Sequence, residues 1–375
     1  MTAWGEQAFP NLRHVADEAI ACGVVPGMAV CVSHGHAKTT CNFGRVYGDA
    51  ASAPVTPVSD ATVYDLASLT KALATSLLAM RAVATCDASK FDLALPVTRW
   101  LPRAPKGVTV EHLLSHTSGW PAHAKFYEQL LPQVHPGDPA PALRSALIEQ
   151  LQNTPLQALP GARSVYSDLG FIALGHILEL VLEQRLDVAF ERQIALPLQL
   201  RSLRFGVDPA QISNVAPTED CAWRGRLLVG QVHDQNAWLM GGVAGHAGLF
   251  GTAHDVAALL ASLLRSHADA PQPDDPIEPA ILQRFWAFEA PPPSTWALGW
   301  DRPSPGASLA GRLIDRRAVG HLAFTGCSVW VDPRRQTFVV MLSNRVHPVV
   351  RDDARFRALR PAVMDAALTD LHYGV

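Results

Sequence analysis

Apolar and polar positions follow different rhythms along the chain, and the rhythms divide it. A helical spacing over Asn11–Ala21 stops at Gly23. Gly27-Met28-Ala29-Val30-Cys31-Val32 follows as a short apolar run closed by Ser33-His34-Gly35. Such a run, bounded by turn residues, predicts a strand, and Thr39–Tyr47 predicts its hairpin partner. From Ser68 to Thr85, Leu, Ala and Met fill the interior of a long predicted helix. The middle of the chain reads as mostly helical, over Val110–Ser115, Ala142–Gln152, Leu169–Glu183 and Ala253–Ser266. Stretches rich in Pro and Asp interrupt it at 132–141 and 268–279 and predict surface loops. Near the end, Leu313–Asp315, Ser328–Val331 and Thr337–Leu342 predict three more strands, and Asp353–Leu371 a closing helix.

Strands therefore sit at both ends and helices between them. The simplest packing joins the terminal strands into one antiparallel sheet flanked by the terminal helices, with the helical middle beside it. The expectation is an α/β (α+β) fold in a single domain over 1–375. Its α/β lobe would take about 1–65 and 295–375, and its helical lobe about 66–294. A small-molecule site is expected in the cleft between two such lobes.

Composition narrows the function classes. At 48% hydrophobic and 17% charged residues, the chain has ample apolar surface for a large core, which excludes a mainly disordered protein. Lys+Arg at 31 against Asp+Glu at 34 leaves no basic excess to neutralise phosphates, so no nucleic-acid partner is expected. No apolar run reaches the roughly 20 residues of a membrane span. Met1–Glu6 lacks a basic start leading into an apolar stretch, so the expected location is cytoplasmic. None of the six cysteines lies in a Cys-x-x-Cys pair, and free structural thiols are expected.

Three segments carry candidate chemistry. In Tyr64-Asp65-Leu66-Ala67-Ser68-Leu69-Thr70-Lys71, Ser68 and Lys71 stand three apart and share a face if Ser68 opens a helix. Lys71 is the only charge between Leu66 and Met80. An ammonium in so apolar a segment needs a partner or a task, and beside a hydroxyl it can assist deprotonation. The alternative is a capping Ser with a snorkelling Lys. In Pro160–Phe171, a turn and a short extended piece lead into a helix capped by Ser167 or Asp168. Tyr166, just before it, is a proton acceptor if nearby cations lower its pKa, and otherwise a packing tyrosine. In Val319–Pro333, a strand edge can aim backbone N–H groups at a developing oxyanion, with His321 at its start placed to orient a substrate or share a proton.

Taken in order, Ser68-x-x-Lys71, Tyr166-Ser167-Asp168 and His321-Leu322-Ala323 entering Phe324-Thr325-Gly326 resemble the serine β-lactamases and penicillin-binding-protein-like hydrolases. The chain looks closest to the class C β-lactamase and family VIII esterase branch. His112–Trp120, Gly241–Phe250 and Leu298-Gly299-Trp300 look like further signatures of that group, and the resemblance runs from about Val15 to Leu371. It implies Ser68 as the acylated nucleophile, Lys71 as its hydrogen-bonded assistant, and Tyr166 as the base. It also implies an oxyanion hole from the backbone N–H groups of Ser68 and Phe324. No cofactor and no metal are implied.

The departures direct the functional expectation. Class C β-lactamases carry Lys-Thr-Gly where this chain has His321-Leu322-Ala323, so the cation that meets a β-lactam carboxylate is missing. Ala323 would add a Cβ at the edge facing the substrate, and Asp168 stands where the lactamases have Asn. These changes argue against efficient β-lactam hydrolysis and leave acyl transfer from a neutral ester open. The expectation is a serine hydrolase acting on a small ester, as a monomer or small homo-oligomer. An amidase or D-amino-acid-directed peptidase, an acyltransferase and a non-catalytic binding homologue are the alternatives. His321, Asp168, Ala323 and Trp120 are the candidate substrate contacts. His233, Asp234 and His246 could be metal ligands, but their spacing favours a role in tying a loop below the cleft.

Overall fold

The strand Gly27–His34 is apolar from Met28 to Val32 because both of its faces are buried there. Met28, Val30 and Val32 point to one side. There they join Leu12 and Ala16 of the helix Pro10–Ala21 and Phe356 and Val363 of the helix Ala354–Tyr373. Ala29 and Cys31 point the other way, into the larger core built by the helices of the middle of the chain. The strand Thr337–Ser343 repeats the division, with Val339 and Met341 on the first side and Phe338, Val340 and Leu342 on the second. In the strand Ser328–Asp332, Trp330 faces the terminal helices while Val329 and Val331 face the larger core.

The computed structural model describes residue 4 and residues 8–47, 56–131, 141–351 and 354–373. Its main sheet is five-stranded and antiparallel, and both ends of the chain supply it. Ala37–Gly44 forms one edge, followed by Gly27–His34, Thr337–Ser343, Ser328–Asp332 and, at the other edge, Val319–Leu322. The register pairs Val30 with Met341, Val339 with Trp330 and His321 with Val329. Gly320 lies on that last edge strand, and a Cβ there would collide with the Trp330 ring. The expected α+β fold with an antiparallel sheet is the observed one. No helix among the described residues is long and apolar enough to cross a membrane.

Several local expectations change. The hairpin partner ends at Gly44 and not at Tyr47, because Gly44 takes a positive φ of 70°. The predicted strand Leu313–Asp315 is absent. Carboxylates take its backbone donors in place of a neighbouring strand: Arg312 and Leu313 N–H donate to Asp365, and Asp315 N–H donates to Asp332. The stretch 268–278 holds no helix or strand, as expected of a loop, but Pro279 opens an unanticipated helix, Pro279–Ala287. Of the other loop, 132–140 lies outside the described residues, as does Asp353 at the start of the last predicted helix.

Candidate active site

The segment holding Ser68 departs from a plain helix. Tyr64–Asp65 is a short strand paired with Leu249–Gly251. Ala67 then turns with a φ of +42°, a left-handed conformation that costs a non-glycine residue energy. Asp65 Oδ1 holds the turn by accepting from Ala67 N–H at 2.8 Å. The helix widens to a π turn over Lys71–Thr75 before continuing as α over Ser76–Thr85. Wide turns of this kind often mark functional positions.

Lys71 is fully buried, and its three protons all find acceptors. Nζ donates to Ser68 Oγ at 3.1 Å, to Asp168 Oδ1 at 2.7 Å and to the His246 carbonyl at 3.2 Å. The carbonyl reaches Lys71 because the helix Asp168–Leu182 and the Gly245 loop touch backbone to backbone. A Cβ on Gly175 would come within 2.7 Å of Gly245 Cα. Ser167 caps that helix, accepting from Gly170 N–H at 3.3 Å and donating to the Pro121 carbonyl at 2.7 Å. Asp168 is therefore free of capping and turns to Lys71. Tyr166 sits on the extended residues just before, with Lys71 Nζ 4.8 Å from its ring centroid and with Lys71 and Ser68 as the polar groups beside its phenol. The structure thus brings Ser68, Lys71, Tyr166 and Asp168 together.

Electrostatics set the resting protons. Burial opposes the Lys71 charge, but the Asp168 carboxylate and Tyr166 outweigh it and raise the ammonium above its ordinary range. Burial likewise opposes the Asp168 charge, yet Lys71 and a hydrogen bond from His123 hold this carboxyl well below the usual carboxylate range. Burial pushes Tyr166 up and Asp168 adds to it; the Lys71 charge pulls the other way without reversing the direction. Burial, with a smaller contribution from Asp168, thereby outweighs the lowering that a neighbouring cation was expected to give. At rest the site holds an ammonium, a carboxylate and a protonated phenol.

His321 does not supply the cation that the class C β-lactamases carry at this position. Only 1% exposed, it is lowered to about 3 by burial and by Lys71, and so is neutral. Its Nδ1 donates to the Leu322 carbonyl at 2.8 Å, which leaves Nε2 as an acceptor. His116 is likewise buried and held well below its ordinary value by burial, then by Lys71 and His321. Its Nδ1 accepts from Ser167 N–H at 3.1 Å. Among the described residues, neither Nε2 has a hydrogen-bond partner. The two imidazoles surround Tyr166 with Trp296, whose ring stacks on the phenol at 5.4 Å between centroids.

A cleft of about 350 Å³ opens on Ser68, Tyr166 and Asp168, lined also by His123, His233, Asp234, Gln235, His246 and Phe324. Phe324 is half exposed, packed between His233 and Arg345. Among the described residues, no hydrogen bond within the chain engages the N–H of Ser68 or of Phe324. Three candidate contacts fall outside that lining, and His321, buried behind Tyr166, is one of them. Trp120 is 1% exposed and donates Nε1–H to the Thr154 carbonyl, so it packs in the core. Ala323 is buried in the same core and does not line the cleft. His246 Nε2 meets Asp234 Oδ1 at 2.8 Å, which ties the loop under the cleft. Among the described residues, no group of three or more His, Cys, Asp or Glu could hold a metal ion.

Sequence reading missed Asp65, His116, His123 and Trp296. Asp65 alone left a trace, as an acid three positions before the serine in an apolar segment.

The family profile described as Beta-lactamase matches residues 12–363. The chain belongs to this family. A protein of Salmonella agona (strain SL483) named "Putative D-alanyl-D-alanine carboxypeptidase" is 30% identical over 347 residues, covering 84% of this chain and 77% of the relative. The solved structure of EstCE1, described as a hydrolase with promiscuous acyltransferase activity, superposes with a TM-score of 0.73 at 22% identity, over 96% of this chain and 99% of that one. A class C β-lactamase structure gives 0.70 at 16% identity, over 96% and 98%. At these identities the structural likeness shows the shared fold, which is that of serine hydrolases of the β-lactamase type.

Proposed function

We propose that the protein is a serine hydrolase that cleaves a carboxylic ester through an acyl-enzyme on Ser68. One observation carries the choice of a neutral ester. Among the described residues, no Lys or Arg lines the cleft, and Lys71 beneath it is already paired with Asp168. A substrate carboxylate would enter beside Asp168 and Asp234 with neutral His321 where the family has a cation.

In this reading the resting site must first lose one proton, because Lys71 and Tyr166 both hold theirs. Once the pair is singly deprotonated, it takes the Ser68 proton as Oγ attacks the ester carbon. The developing oxyanion is received by the N–H groups of Ser68 and Phe324. Collapse of the tetrahedral species expels the alcohol, which takes the proton back through Tyr166. A water then attacks the acyl carbon with Tyr166 taking its proton, and collapse breaks the Ser68 Oγ–acyl bond, releases the carboxylic acid and returns the proton from Tyr166 to Oγ.

The test is turnover of p-nitrophenyl butyrate together with labelling by a fluorophosphonate probe. Wild type should hydrolyse the ester and carry the probe on the Ser68 peptide, and Ser68→Ala should do neither. An unlabelled Ser68 would reject the reading. The name of the Salmonella relative favours a second reading, cleavage of a peptide ending in D-alanine. Faster release of D-alanine from such a peptide than of nitrophenol from the ester would select it.

A further inference from the structure

Asp65 joins the two sides of the cleft, although it touches neither solvent nor substrate space. It is 2% exposed. Oδ1 accepts from Ala67 N–H at 2.8 Å and Oδ2 accepts from His233 N–H at 2.6 Å. Its backbone carbonyl accepts from Thr325 Oγ1 at 2.8 Å. The first bond fixes the left-handed residue immediately before Ser68. The second fixes the residue whose ring lies 5.5 Å from the Phe324 ring, and the third fixes the neighbour of Phe324 itself. One residue thus holds three loops, from the nucleophile turn, the His233 segment and the sheet edge.

The geometry points to Asp65 as the positioning residue that sets the separation and aim of the Ser68 and Phe324 N–H groups. This rests on the acyl-enzyme reading above and adds to it. Two amide donors stabilise an oxyanion only when both meet it at about 2.7–3.1 Å, so an error on either loop removes much of their effect. Burial raises the Asp65 carboxyl above its ordinary value and the two N–H donors offset that only in part, while neither donor has an equivalent acceptor if the carboxylate is removed. Asn in its place presents one acceptor and one amino group. The amino group faces an N–H donor, and one of the two loops comes loose.

The experiment uses the full chain with Asp65→Asn, Asp65→Ala, Thr325→Val and Thr325→Ser. Two quantities are read: kcat and KM for p-nitrophenyl butyrate, and the rate at which Ser68 takes a fluorophosphonate. In the labelling step, Ser68 Oγ bonds to phosphorus, fluoride departs, the serine proton passes to the Lys71–Tyr166 pair, and the phosphoryl oxygen occupies the oxyanion position. Asp65→Ala should lose on the order of 10²-fold in kcat and in labelling rate with KM within about twofold, and Asp65→Asn somewhat less. Thr325→Val should lose on the order of tenfold in kcat, with Thr325→Ser restoring it.

If the Asp65 variants fail to fold, the Thr325 pair decides. Equal kcat for Val and Ser at position 325 overturns the proposal, as does a folded Asp65→Asn with wild-type kcat. A wild-type Ser68 that takes no label rejects the acyl-enzyme reading itself. A labelled wild type with equally labelled variants rejects only the role of Asp65.

Discussion

Two walls of the same site handle burial in opposite ways. On the Lys71 side, charge is buried and every donor is matched: the ammonium meets Ser68, Asp168 and His246. On the Tyr166 side, charge is excluded: two imidazoles are kept neutral against a phenol and an indole, each with one ring nitrogen that finds no hydrogen-bond partner among the described residues. The first wall can hold a proton firmly, and the two imidazoles of the second cannot accept one near neutral pH. Under the proposed mechanism the exchangeable proton therefore belongs to Lys71 and Tyr166, with Asp168 helping to retain it.

The largest effect should come from breaking the matched wall. Lys71→Met removes the counter-charge of Asp168 and the donor to Ser68. Ester turnover should fall about 10³-fold. The stranded carboxylate should cost about 3 kcal/mol of stability, read by urea denaturation. Retained turnover in this variant would mean the ammonium is only structural.

Asp168→Asn sharpens the comparison, because it leaves Lys71 in place and removes the charge that holds the protons. Asp168 raises both Lys71 and Tyr166. Without it both fall, so the rising limb of kcat/KM against pH should move to lower pH. A limb that stays in place would place the essential proton elsewhere.

The neutral wall makes a prediction about stability. His321 falls from about 6.5 in the unfolded chain to about 3 when folded. Its folded pKa is depressed, so the unfolded chain binds more protons in that window. The stability it contributes is whole above about pH 6.5 and is lost as pH falls toward about 3. By pH 5 that loss is about 2 kcal/mol, from about 1.4 kcal/mol for each pH unit below 6.5. His321→Gln cannot titrate and should lose less between pH 7 and pH 5 in denaturation experiments. Equal losses would mean that the ring is charged in the folded protein.

The same contrast explains what could be read from the sequence. Burial on both faces writes itself into continuous apolar runs, so Gly27–Val32 and Thr337–Leu342 were readable as strands, and the sheet followed from their placement at both ends. Ser68, Lys71 and Tyr166 stand out because polar residues in apolar segments need an explanation. Direction is not written in that pattern. Ser167 and Asp168 were interchangeable as caps, and only the Pro121 carbonyl, distant in sequence, takes Ser167 and frees Asp168. Leu313–Asp315 has the composition of a strand, but Asp365 and Asp332 capture its backbone donors. Whether His321 is charged depends on burial by Tyr166 and Trp296, more than a hundred and more than twenty residues away, respectively.

The smallest effect tests which wall the sheet edge belongs to. Ala323 departs from the family's glycine, and on sequence grounds its Cβ would obstruct a substrate. In the structure that Cβ packs in the core, while the backbone is held by Ala323 N–H donating to the Cys327 carbonyl at 2.8 Å and by Arg360 donating to the Ala323 carbonyl. Ala323→Gly should therefore leave ester KM within about twofold, since it opens no space in the cleft, and should cost about 1 kcal/mol from lost packing and added chain entropy. A fall in KM of tenfold or more would show that the methyl group meets the substrate and that the edge turns during binding.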